Sequence, residues 1–234
     1  MKFTAPFALC AAAGSALAAP SLGPVDHSNH TILNAGSYTA QALDAVPFGS
    51  NPRGGAATTI FSNMEAGAGF QAFPESTVNL DGATESIGFD DYTSIASGTT
   101  QITEFRFVGG VAQAGGVMFV DFFDSSGAAL DGFGIQLADA GNFIYTITVS
   151  TAVDVADVGF VQISLDDDGL FADGVQTTGQ WFLSAEAATI GANGPDGGAS
   201  AGALNHNFEL TTVPAPSAAA LLGLGGLIAG RRRR

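Results

Sequence analysis

Between residues 56 and 212 the chain strings together short alternating or apolar runs broken by turn residues. It never sustains a 3.6-residue period over three turns, and this confines it to an all-β fold. Thr99 to Val108 (TTQITEFRFV) alternates, with Gln101, Thr103, Phe105 and Phe107 expected on one face and Thr100, Ile102, Glu104 and Arg106 on the other. Val117 to Phe123 (VMFVDFF) is nearly all apolar, as a central strand requires, and Asp124-Ser125-Ser126-Gly127 follows as turn chemistry. Phe143 to Val149 (FIYTITV) points Phe143, Tyr145, Ile147 and Val149 one way. Thr58 to Ser62, Phe133 to Leu137, Val158 to Leu165, Gln180 to Ala185 and Asn207 to Thr212 complete the set. Short strands with Gly, Asp and Ser turns at this spacing predict an antiparallel β-sandwich, jelly-roll-like, over residues 56–212. Residues 19–55 contain Pro20, Pro24, Pro47 and Pro52 and read as an irregular N-terminal arm with room for one edge strand.

Both ends read as targeting segments outside this fold. Residues 1–18 have the layout of a signal peptide: Lys2 as the positive region, an apolar run from Phe7 to Ala13, and Ala16-Leu17-Ala18 as the small-x-small site, with cleavage after Ala18 and Ala19 as the second choice. Cys10 is the single cysteine and would leave with that segment, so the processed chain carries no thiol and no disulfide. At the other end, Ala218 to Gly230 is uncharged and apolar, about 20 Å long as a helix. Counted from Val213 it reaches about 27 Å, close to the hydrocarbon thickness of a bilayer. Arg231, Arg232, Arg233 and Arg234 follow and would hold that end in the cytoplasm.

The tail Val213 to Arg234 resembles a PEP-CTERM sorting signal, a segment also known as the ice-binding protein C-terminal domain. Val213-Pro214 and Pro216-Ser217 match its short Pro-containing motif, followed by the Leu- and Gly-rich run and the Arg cluster. Ala215 stands where that family usually has Glu. The resemblance implies a transient membrane anchor processed by an exosortase-like enzyme at the cell envelope. It implies nothing about ice for the body. The body itself is similar to a group of exported domains of no established activity, through Gly88-Phe89-Asp90-Asp91-Tyr92-Thr93, Ile102 to Phe107 and Val120-Asp121-Phe122-Phe123-Asp124.

Charge narrows the partners. All 22 acidic residues lie between the two ends, against two basic residues there, Arg53 and Arg106. A body this acidic repels nucleic acid and anionic headgroups, and it suits a soluble surface protein that attracts divalent cations. Asp166-Asp167-Asp168-Gly169 at a strand end would relieve its own repulsion by binding Ca2+, although Leu170 stands at a ligand position of the EF-hand pattern. Asp90-Asp91 is a second candidate, also expected at a strand end. Asp166, Asp168 and Asp90 are therefore the expected calcium ligands, and no organic cofactor is indicated.

Catalytic patterns are sparse. The chain has neither a G-x-S-x-G elbow nor an H-E-x-x-H motif. His27 and His30 have a spacing that binds metal on a helix, but Ser28 and Asn29 between them read as loop, so both are expected to be solvated. His206, between Asn205 and Asn207, has no nucleophile motif nearby. Trp181 in QWFLSA alternates with Phe182 and fits either core packing or a sugar-binding platform. The sequence thus points to a non-enzymatic, secreted or envelope-displayed sandwich with a structural or adhesive role. Its expected partners are signal peptidase, the exosortase-like enzyme, the membrane through the tail, and extracellular polysaccharide. A carbohydrate-binding module is the alternative, and a secreted hydrolase comes third.

Overall fold

The computed structural model describes residues 22, 25–42, 57–64, 69–72, 75–78, 84–184, 187–194 and 205–212. The expected signal peptide (1–18) and sorting tail (213–234) lie outside these residues. Along the chain the strands are β1 (Ile32–Leu33), β2 (Tyr38–Ala42), β3 (Thr58–Ser62), β4 (Gly69–Ala72), β5 (Glu75–Val78), β6 (Thr84–Thr93), β7 (Thr100–Val111) and β8 (Val117–Asp124). They continue as β9 (Ala129–Gln136), β10 (Gly141–Val155), β11 (Val158–Asp166), β12 (Gly179–Ser184), β13 (Ala192–Asn193), β14 (Asn205–His206) and β15 (Phe208–Thr212).

These strands form two sheets that pack as a sandwich. The first runs β1-β9-β8-β11-β6-β13, with β5 also on β6. The second runs β14-β12-β7-β10-β2, with β15 joined to β3 and β7, and β4 to β12. Among the described strands every pairing is antiparallel except β1 with β9, where Ile32 lies beside Gly134 and Leu33 beside Ile135.

Alternation fills the space between the sheets. Met118, Val120, Phe122, Phe133, Ile135, Val161, Ile163 and Leu165 point inward from the first sheet. They meet Ile102, Phe105, Phe107, Tyr145, Ile147, Trp181, Phe208 and Leu210 of the second. The Phe105 ring stands edge-on to Phe122 and Phe133, at 5.8 and 6.3 Å, an arrangement that aromatic quadrupoles favour.

The other face of the first sheet is covered too, which explains why β8 is apolar on both faces apart from Asp121. Leu22 and Val25 pack on Phe89, Phe123 and Phe160. Phe171, Ala172 and Val175, in the loop after β11, cover Val117 and Phe119.

Three sequence expectations need correction. The expected faces of β7 change partway: Ile102 and Phe105 both enter the core, because a bulge at Thr103 breaks the register with β10 and β15. Asp90-Asp91 lies within β6 rather than at a strand end, with Asp90 opposite Val161 and Asp91 opposite Phe160. The described part of the arm supplies an edge strand to each sheet, β1 to the first and β2 to the second, joined to two 3-10 turns at His27–Asn29 and Ala35–Ser37.

Candidate metal centre under the N-terminal segment

The site begins with a local turn. Asp26 accepts hydrogen bonds from the backbone N–H of Ser28 at 3.0 Å and from its hydroxyl, which starts the 3-10 turn His27–Asn29. The His30 N–H closes the turn onto the His27 carbonyl at 3.0 Å. In a 3-10 turn residues i and i+3 eclipse, so His27 and His30 are presented together.

The turn lies against the outer face of the first sheet, where the pleat lines up polar side chains. Asp121 of β8 sits opposite Gln162 of β11, and Glu85 of β6 sits opposite Asp166. His27 bridges the first and third of these strands: Nδ1 is 2.7 Å from Glu85 Oε1, and Nε2 is 2.9 Å from Asp121 Oδ2. His30 Nε2 reaches the other Asp121 oxygen at 2.7 Å. His27, Glu85 and Asp121 are almost wholly buried, while His30 is at the rim with its side chain 13% exposed. The His27 ring stacks on Phe119 at 4.0 Å and 7°, which fixes its plane.

Electrostatics follow from this packing. Burial opposes a charge on His27, but the Asp121 and Glu85 carboxylates outweigh it and raise its pKa to about 10. Burial likewise opposes ionisation of Asp121, and the bonds from His27 and His30 overcome it, leaving that carboxyl below its ordinary range. Glu85 is pushed up by burial, against the pull of His27.

Two glycines of β9 make room for the segment. A Cβ at Gly132 would collide with Asp121 Oδ1 and His30 Nε2, and would lie 2.8 Å from the Val120 carbonyl. A Cβ at Gly134 would come within 2.9 Å of Phe119 and 3.1 Å of Ile32. Beside the site a cavity of about 330 Å3 opens, walled by His30, Asp121, Asp26, Asp131 and the bulged stretch of β10 at 149–153.

The expectation of solvated histidines is therefore wrong for His27 and only partly right for His30. The residues between them do form a turn, but its partners lie some sixty to ninety positions away and are invisible to local reading. The available signals were the His-x-x-His spacing itself and the Gly132/Gly134 alternation on one face of a strand, a mark of close backbone approach.

The two expected calcium candidates lie apart, with Asp166 and Asp168 side by side in one loop and Asp90 elsewhere. Asp166 and Asp90 project from opposite faces of the first sheet, since Asp166 pairs with Glu85 and Asp90 with Val161. Asp166 caps its own loop, accepting from the N–H groups of Gly169, Leu170 and Phe171 at 3.0 Å each. Asp168 lies beside it and accepts from Leu170. Asp90 is in the interior and accepts from the N–H groups of Asp91 and His206.

Trp181 is completely buried. Its ring stacks on His206 at 4.1 Å and its indole N–H donates to the Asn207 carbonyl at 3.2 Å, so it offers no face to a sugar. His206 itself is held near 3 by burial and stays neutral. Among the described residues no helix is long and apolar enough to cross a membrane. Comparison with protein-family models, curated proteins and solved structures finds no match to the chain.

Proposed function

We propose that this chain is an exported surface or matrix protein with a structural or adhesive role. Residues 1–18 would direct it across the membrane and residues 213–234 would anchor it there transiently. The observation that carries this reading is the acidic, all-β sandwich that the described strands build from residues between the two expected targeting segments. The described surface also fits display in solution: Arg106 is the one Lys or Arg among the described residues, and it is taken up by Glu209 at 3.3 Å and Thr146 at 3.2 Å. The carbohydrate-binding alternative drew on the sandwich pattern and on Trp181; it keeps the first and loses the second, since Trp181 is buried.

Fractionation of a host expressing the full chain tests the reading. The protein is expected in the envelope or medium, and substitution of Arg231 to Arg234 by Gln should shift it between those two fractions. Retention of the unaltered protein in the cytoplasm would reject it.

A further inference from the structure

We propose that His27, His30 and Asp121 bind a divalent transition metal of the Zn2+ class, and that the ion fastens the N-terminal segment to the first sheet. The donor set is two imidazoles and one carboxylate, with donor atoms all within 4.8 Å of one another. Nitrogen donors favour Zn2+ and its first-row neighbours over Ca2+ or Mg2+, which take oxygen ligands. Without an ion, two histidines share one buried carboxylate, His27 at 2.9 Å and His30 at 2.7 Å. A metal in their place would take Nε2 of each ring and an Asp121 oxygen. Ligands about 2.0–2.1 Å from a tetrahedral ion lie roughly 3.3 Å apart, so the two His–Asp121 contacts would lengthen by a few tenths of an ångström while the widest separation in the set, at most 4.8 Å, would close.

The surroundings are those of a built site. Glu85 receives the Nδ1–H of His27, the outer-shell carboxylate contact that fixes the tautomer and orientation of a metal-binding imidazole. Phe119 locks the ring plane. The remaining coordination position would face the cavity beside His30, where water can enter. His27 and His30 belong to the segment, while Asp121 and Glu85 belong to β8 and β6. An ion here therefore cross-links the segment to the middle of the sheet, in a protein whose processed form has no disulfide to do so.

The test uses the purified full chain, stripped of metal with a chelator and titrated with Zn2+ by calorimetry, with thermal melting in parallel. The expected result is one Zn2+ per chain, a raised Tm, and a much smaller effect of Ca2+ at equal concentration. His30→Gln sits at the rim, where Gln keeps a donor for Asp121, and should still fold while losing at least tenfold in Zn2+ affinity. Glu85→Gln should lose about 10- to 100-fold, since it touches only the outer nitrogen of His27. Zn2+ should slow amide exchange across Val25–Leu33 in the wild type and not in His30→Gln. No Zn2+ binding by the wild type, or affinity unchanged in both variants, overturns the site. Binding without a change in exchange overturns the fastening role. Neither result bears on export, which the fractionation decides separately.

Discussion

Two histidines pull the stability of the metal-free protein in opposite directions. His27 titrates near 6.5 in an unfolded chain and at about 10 in the fold, where Asp121 and Glu85 outweigh burial. Its contribution is complete below about pH 6.5 and is lost as the pH rises towards 10. Glu85, raised by burial, also weakens the fold as the pH rises. His206 does the reverse. Burial holds it to about 3, so below pH 6.5 the unfolded chain takes up a proton that the folded chain refuses. With chelator present, Tm should fall as the pH rises above 6.5, where His27 loses its proton and His206 is neutral in both states. A Tm that climbs steadily from pH 6.5 to 9 would contradict the charged His27 bridge. Such behaviour could not be read from the sequence, because a pKa depends on what surrounds the ring. His27 and His206 both have small polar neighbours in the chain, Asp26 and Ser28 for one and Asn205 and Asn207 for the other, yet one is buried between two carboxylates and the other against the face of Trp181.

The strands divide by how much of their environment is local. β3 was legible residue for residue and β8, β11 and β12 to within one, while only the apolar, alternating half of β10, Phe143 to Val149, was read and its bulged continuation to Val155 was not. β6 was missed because its sequence, TESIGFDDYT, places acids on both faces: Asp90 inward, held by the His206 N–H, and Glu85 outward, held by His27. These are tertiary compensations with no local trace. β9 carries a subtler message. Phe133 and Ile135 face the core, while Gly132 and Gly134 on the other side let His30 and Ile32 lie flat against the strand. Gly132→Ala would drive a methyl into Asp121, His30 and the Val120 carbonyl, and the carbonyl cannot move aside. It should cost about 1–3 kcal/mol in denaturant unfolding and speed exchange at β1. A substitution neutral in both would mean that the segment does not rest on β9 as described.

As a molecule, the protein is a sandwich whose second layer of burial comes from its own beginning. The first sheet is covered on one face by the second sheet and on the other by Leu22, Val25 and the His27 turn, so the stretch just after the expected signal peptide is part of the fold rather than a loose arm. Composition and alternation were enough for the all-β class and the sandwich, because the interior is a regular aromatic and aliphatic layer. They were not enough for the site, which depends on three segments meeting. The reading of the whole chain therefore turns on its boundaries: Ala19 must be a tolerable first residue and Thr212 a sufficient last strand position. Intact mass of the protein recovered from its native host measures both ends at once. The account predicts a chain that begins at Ala19 and has lost the Arg231–Arg234 cluster. A single species spanning Met1 to Arg234 would contradict it.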